Sequence, residues 1–225
     1  MVELGHDWRE GDWLIADRQT AGRGRLGREW HDDAGNFMGS TLVRVGRVDP
    51  APASLAFVAG LALYDAVGAA GATVRLKWPN DLTLEGAKLA GILLERVGDA
   101  VIVGIGVNLK SAPQIEGRAT TSLAAAGHDA SRDQFAERLA DAFVARVAEW
   151  RGGGWPLQVQ RDWLARAHPL GTPLAVHDGA VTLTGAFAGL EGDGALRLRL
   201  AGGEVRRISV GDVSLLADDL ARADD

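Results

Sequence analysis

Cysteine is absent from this 225-residue chain. That removes thiol catalysis, thiolate-ligated zinc and disulfides, and makes a reducing compartment, the cytoplasm, the default expectation. Positive charge is in short supply: 24 Lys and Arg stand against 30 Asp and Glu, a net charge of −6. This is the wrong sign for a chain held mainly by a polyphosphate backbone, so no DNA partner is expected. Long apolar runs are missing as well. The most apolar stretch, Ala53–Ala70, is interrupted by Asp65 and by glycines, and Met1–Glu10 is polar and acidic where a leader would be basic and then apolar. Neither a membrane partner nor export is expected. His6, His31, His128, His168 and His177 show no H-x-x-H or H-E-x-x-H spacing, which argues against zinc. Ser40 and Ser122 lack the setting of a nucleophile elbow.

What remains is a globular balance of 47% hydrophobic and 24% charged residues. Short runs at Trp13–Ala16, Phe37–Val45, Thr73–Trp78, Leu89–Leu94 and Val101–Val107 read as strands. Between them, Pro50 and Pro52 precede a helical apolar pattern that Gly68 and Gly71 end. A second helix opens at Ser131 with Gln134 three residues on, a capping-box pattern, and runs to the loop predicted at Gly152, Gly153 and Gly154. A third spans Pro156–Ala167. Beyond it the period falls to two in Pro173–His177, Val181–Phe187, Ala195–Leu200 and Glu204–Ser209, with Asp-Gly and Gly-Gly pairs between them, which describes a small barrel of hairpins. The chain is therefore expected to divide into residues 1–168, residues 169–217 and an acidic tail, 218–225.

In this acidic protein, Gly22-Arg23-Gly24-Arg25-Leu26-Gly27-Arg28-Glu29-Trp30 concentrates three arginines and three glycines. Gly22, Gly24 and Gly27 satisfy the spacing of a dinucleotide-binding turn. The turn-rich His31-Asp32-Asp33-Ala34-Gly35-Asn36 follows where a helix should open, so that reading is rejected. Glycines let backbone N–H groups approach a ligand, and arginine forks grip phosphate or carboxylate oxygens, so the segment reads as an anion clamp. The competing reading is a solvated basic loop. Of the 24 basic residues only Lys77, Lys88 and Lys110 are lysines, and two of them bracket Asp81, in Lys77-Trp78-Pro79-Asn80-Asp81 and Lys88-Leu89-Ala90-Gly91-Ile92-Leu93-Leu94-Glu95. Asp81 and Lys88 are expected to face each other across a hairpin, either as site residues or as a surface ion pair. Gly104-Ile105-Gly106-Val107-Asn108 closes an apolar strand with glycines and with an amide that reads a base or caps a turn.

Taken together, these segments resemble the biotin protein ligases, whose pattern is a glutamine before G-R-G-R-x-G-R-x-W, then K-W-P-N-D, K-L-A-G-I-L-x-E and G-x-G-x-N. Here they are Gln19, Gly22–Trp30, Lys77–Asp81, Lys88–Glu95 and Gly104–Asn108, in family order and spacing. The likeness spans Trp13–Leu109, and Gly171–Leu216 is similar to the family's small C-terminal barrel, including Gly211-Asp212-Val213-Ser214-Leu215. The resemblance implies an α+β fold: a mixed sheet packed with helices, of the class II tRNA-synthetase-like kind, plus an SH3-like β-barrel. It implies ATP and biotin as substrates with Mg2+, formation of biotinyl-5′-AMP and pyrophosphate, and transfer of biotin to a lysine of a biotin carboxyl carrier domain. The protein is then a monomer or homodimer, with no room for a helix-turn-helix repressor domain.

Carried over residue by residue, the resemblance places Gln19 and the backbone of Gly22, Arg23, Gly24 and Arg25 beside biotin and the acyl phosphate. Arg23, Arg25 and Arg28 hold phosphates, and Trp30 packs near adenine. Lys88 contacts the reacting oxygens, Asp81 accepts a ureido N–H or orients the site, and Gly91 permits close ligand approach. Lys77 and Asn108 complete the ATP side, Asn108 at the adenine edge. No metal ligand is assigned. The Ser/Thr-rich, asparagine-containing segment that usually precedes the glutamine is not found among the 18 residues before Gln19, and a missing upstream segment is the expected explanation. The rivals are a lipoate or octanoyl ligase and a non-catalytic biotin or adenylate sensor.

Overall fold

The computed structural model describes residues 8–31, 33–178 and 181–216. The expected acidic tail, the first seven residues, Asp32 and the turn glycine at 179 lie outside that set. Six strands form the first sheet in the order β1-β2-β6-β5-β4-β3: β1 (Trp13–Ile15), β2 (Phe37–Arg44), β3 (Val74–Lys77), β4 (Asp81–Leu84), β5 (Ala87–Val97) and β6 (Ala100–Val107). Every ladder between these strands is antiparallel. The parallel element of the mixed sheet comes from isolated bridges, Leu76 with Ala167 and Lys88 with Thr120.

Alternation along the strands gives the sheet two unlike faces. Phe37 and Val43, Ala90 and Ile92, and Val101, Val103, Ile105 and Val107 enter the core. Met38, Ser40, Gly91, Leu93, Gly104 and Gly106 face an open cleft. Three helices cover the core face. Helix α1 (Leu55–Gly68) is apolar almost all round, as a helix buried among other elements must be. Helix α2 (Arg132–Glu149) is amphipathic and lays Phe135, Leu139, Phe143 and Val147 inward at four-residue spacing, and α3 (Leu157–Arg166) packs through Val159 and Trp163.

Three local expectations are corrected. Ser131 does start α2, but its side chain makes no capping bond; its backbone carbonyl accepts from Phe135 instead. The triple glycine is not simply loop, because α2 continues through a π-helical turn, Trp150–Gly154, and breaks at Gly153 with φ 90°. Burial explains the extension: Trp150 is fully enclosed and its indole Nε1 donates to Ser54 Oγ at 2.7 Å, tying the end of α2 to the start of α1. The stretch between Lys77 and Lys88 contains a strand of its own, β4, paired to both β3 and β5.

The remaining strands, β7 (Pro173–Asp178), β8 (Val181–Leu190), β9 (Leu196–Arg199), β10 (Val205–Ile208) and β11 (Asp212–Leu215), form a second antiparallel sheet ordered β10-β9-β8-β7-β11, compatible with an SH3-like barrel. It docks on the first sheet through Trp78, whose Nε1 donates to Gly194 O at 3.0 Å. Replacing Trp150 by alanine should cost about 3–5 kcal/mol, from lost burial, a cavity and the lost hydrogen bond to Ser54 Oγ, whose hydroxyl keeps its bond to Ala51 O. Urea unfolding measures it, and a loss under about 1 kcal/mol would show that the joint carries little.

Candidate active site

Pairing of β4 with β5 sets Asp81 opposite Gly91 and brings Lys88 back alongside it. Asp81 Oδ1 accepts from Lys88 Nζ at 2.6 Å, and Oδ2 lies 3.2 Å from Lys77 Nζ, with the Asp81 side chain only 13% exposed. Burial alone would push this carboxyl up, but the charges of Lys88 and then Lys77, with their hydrogen bonds, outweigh it and hold Asp81 below the ordinary carboxylate value. The pair expected across a hairpin is thus a half-buried triad with the carboxylate at its centre.

A second feature is the contact between Trp30 and the sheet. Gly91 and Gly106 are opposite each other in the β5–β6 ladder. A Cβ at Gly106 would sit 2.4 Å from carbons of the Trp30 indole, so only glycine admits this ring. Lys88 Nζ lies 5.7 Å from the ring centroid. Trp30 thus flanks Lys88, at the centre of the cleft floor.

The arginine–glycine segment folds back on itself over this floor: Gly24 N donates to Arg28 O at 2.7 Å, Trp30 N donates to Gly22 O at 3.0 Å, and Leu26 and Gly27 take φ of 58° and 71°. Arg25 donates to Asn80 Oδ1 at 3.2 Å and to Gly211 O at 3.3 Å. Burial draws the Arg25 guanidinium below its ordinary value and Arg28 adds to that, while Asp212 and Asp81 oppose it. Arg28 pairs with Asp212 at 2.5 Å. Among the described residues, Arg23 pairs with no carboxylate.

These parts enclose one cleft of about 1250 Å3, larger than the roughly 300–1,000 Å3 of a single small-ligand site. Gln19, Arg23, Gly24, Arg25, Arg28, Trp30, Lys77, Asp81, Lys88, Gly91 and Asn108 all line it. Gly22 lies just behind, where a Cβ would meet Trp30 O at 2.5 Å. Asn108 is 3% exposed and donates to Thr121 O at 3.0 Å, so its amide also ties the strand end to the following loop. Lys110, the third lysine, instead pairs with Asp129 at the surface.

Known proteins match most of the length of the chain. The profile of the Biotin/lipoate A/B protein ligase family matches residues 4–110, and that of the Biotin protein ligase C terminal domain matches residues 171–216. The biotin–[acetyl-CoA-carboxylase] ligase of Paracoccus denitrificans is 44% identical over 201 residues, covering 83% of each chain. The chain belongs to the biotin protein ligase family. The corresponding ligase of Mycobacterium tuberculosis is 36% identical over 91% of this chain and 79% of its own. The biotin protein ligase of Aquifex aeolicus, solved with biotin and ATP, superposes with a TM-score of 0.78 at 29% identity, over 93% of this chain and 91% of that one.

The first sheet of this ligase-family member provides the floor of the cleft, but sequence reasoning missed most of one wall. Ala175, His177, Thr182, Thr184 and Asp212–Leu216 of the second sheet line the cleft, as do Asn80 and Arg118–Thr120. Of these, Asn80 had a signal within the K-W-P-N-D motif and Gly211–Leu215 as part of the barrel resemblance. This donor set forms no protein cage for Mg2+ among the described residues, and the ion expected with ATP is one carried on the nucleotide's own phosphates. Asp81 and Asp212 are already each contacted by two cations, and among the described residues no group of three His, Cys, Asp or Glu gathers.

Because Asp81 titrates lower folded than unfolded, its share of stability is present above about pH 4 and is lost as pH falls through the folded value. Asp81→Asn should therefore shrink the loss of urea stability between pH 6 and pH 3 relative to the wild type. Equal losses in the two proteins would refute the triad's electrostatic role.

Proposed function

We propose that this chain activates biotin with ATP and transfers it to a lysine of a biotin carboxyl carrier domain such as that of acetyl-CoA carboxylase. The observation that carries the proposal is the Lys88–Asp81–Lys77 triad beneath Trp30 and the arginine segment, in a chain of this family with these motifs in order. Biotin's carboxylate oxygen attacks the α-phosphorus of ATP, an O–P bond forms, and pyrophosphate leaves. At about 3.3 Å and an effective dielectric near 20, each pair of like charges brought together costs about 5 kcal/mol, which fixed cations must offset.

Lys88, oriented by Asp81, supplies that charge at the reacting oxygens. Both carboxylate oxygens of Asp81 are taken by lysines, so of the two roles considered for it, orienting the site is favoured over binding a ureido group. Arg23, with no carboxylate partner among the described residues, reaches the phosphates, while Arg25 and Arg28 add positive field from anchored positions. Gln19, Gly24 and Gly91 border biotin, with Gly22 behind them against Trp30, and Lys77 and Asn108 lie on the nucleotide side. Trp30 forms an apolar wall beside the reacting centre, which shields the mixed anhydride from water.

In the second step the neutral amine of the carrier lysine attacks the acyl carbon, an amide forms, AMP leaves, and one proton passes from the amine to a base. We take residues 1–168 as the activating unit and 169–217 as a wall-forming unit, in the cytoplasm.

Protein incubated with biotin and ATP should yield biotinyl-5′-AMP by mass spectrometry. Lys88→Ala should lower that signal at least a hundredfold, the scale for removing one preorganised charge contact, whereas Lys110→Ala should leave it unchanged. Pyrophosphate exchange that depends on lipoate instead of biotin would overturn the reading in favour of a lipoate ligase, and binding without exchange would mark a sensor.

A further inference from the structure

Three consecutive residues of the second sheet each hold one cation of the cleft. Gly211 O accepts from Arg25, Asp212 pairs with Arg28, and Val213 O accepts from Lys77 Nζ at 2.9 Å. Asp212 reaches further, with its other oxygen 3.8 Å from Arg118 on the loop that also flanks Lys88 through Ala119 and Thr121. One carboxylate therefore joins the arginine segment, the loop beside Lys88 and strand β11. Its place is fixed by backbone: Asp212 lies opposite His177 in the β11–β7 ladder. Gly211, at φ 154°, lets β11 approach β7 where a Cβ would meet Val176 at 2.9 Å.

Resting on the activity proposed above, we propose that Asp212 is a positioning residue that latches the arginine segment closed over the reaction centre. Arg28 is then the hook of that latch, and Arg23 is left for the anionic ligand. The mixed anhydride forms beneath the segment, so the latch sets how long the activated acyl group stays bound before an acceptor amine arrives. In this arrangement the C-terminal sheet governs retention of the intermediate rather than the chemistry at phosphorus, which falls to Lys88 and Arg23.

The test uses the full chain with Asp212→Asn, and Arg28→Gln to release the same latch from the arginine segment's side should the first variant fold poorly. Two rates are read: trypsin cleavage after Arg23 or Arg25, sites that both variants keep, and release of preformed biotinyl-5′-AMP. Both should rise about fivefold, the factor for about 1 kcal/mol, while cleavage at Arg197, Arg199, Arg206 and Arg207 in β9 and β10 stays at the wild-type rate. Unchanged loop cleavage and unchanged release in both variants would overturn the latch, as would cleavage accelerated equally in β9 and β10, which marks general loosening. The cleavage arm needs no ligand, so wild-type protein that forms no adenylate would refute the proposed activity while the cleavage arm still decides the latch.

Discussion

Two lysines directed into one partly buried cleft repel each other, and the structure answers that repulsion with a single carboxylate. At the 2.6 Å separation of Asp81 and Lys88, the attraction is about 6 kcal/mol at an effective dielectric near 20. Part of this is offset by the desolvation that would otherwise raise the carboxyl. One negative charge shared by two cations leaves a net positive centre whose geometry is fixed before any ligand arrives. Such a centre suits two anions that must approach each other, because its dipoles and charges need little reorganisation at the moment of reaction.

The same economy recurs on the opposite wall. Asp212 shares its charge between Arg28 and Arg118, and the neighbouring carbonyls of Gly211 and Val213 take Arg25 and Lys77. The five cations come from the arginine segment, the β3–β5 meander and the loop at Arg118, and two carboxylates with a short run at the start of strand β11 hold them around one space. This is why the second sheet is a wall of the site rather than a separate appendage.

Much of this was legible beforehand where a local signal sufficed. Alternation exposed β2, β5 and β6, helical spacing exposed α1, α2 and α3, and Asp-Gly and Gly-Gly pairs marked the hairpins of the second sheet. The scarcity of lysine drew attention to Lys77 and Lys88 before any contact was known. Strand β4 was hidden because its four residues follow a strong turn signal and its pairing depends on neighbours on both sides. The contribution of His177, Thr182 and Asp212 to the cleft was hidden for a related reason: it arises from docking one sheet against another, which periodicity within a strand does not encode. Ser131 shows the converse, a capping pattern that marks a helix start correctly while the expected side-chain bond is not made.

The central claim is that the Asp81-centred lysine pair is a preformed seat for the acyl phosphate. A crystal structure of the protein with a hydrolysis-resistant analogue of biotinyl-5′-AMP tests it most directly. The account predicts the phosphate oxygens within hydrogen-bond distance of Lys88 Nζ, beside Trp30, with the Lys88–Asp81 contact intact. A phosphate seated away from Lys88, or an Asp81 carboxylate that has swung out of the triad, would contradict it.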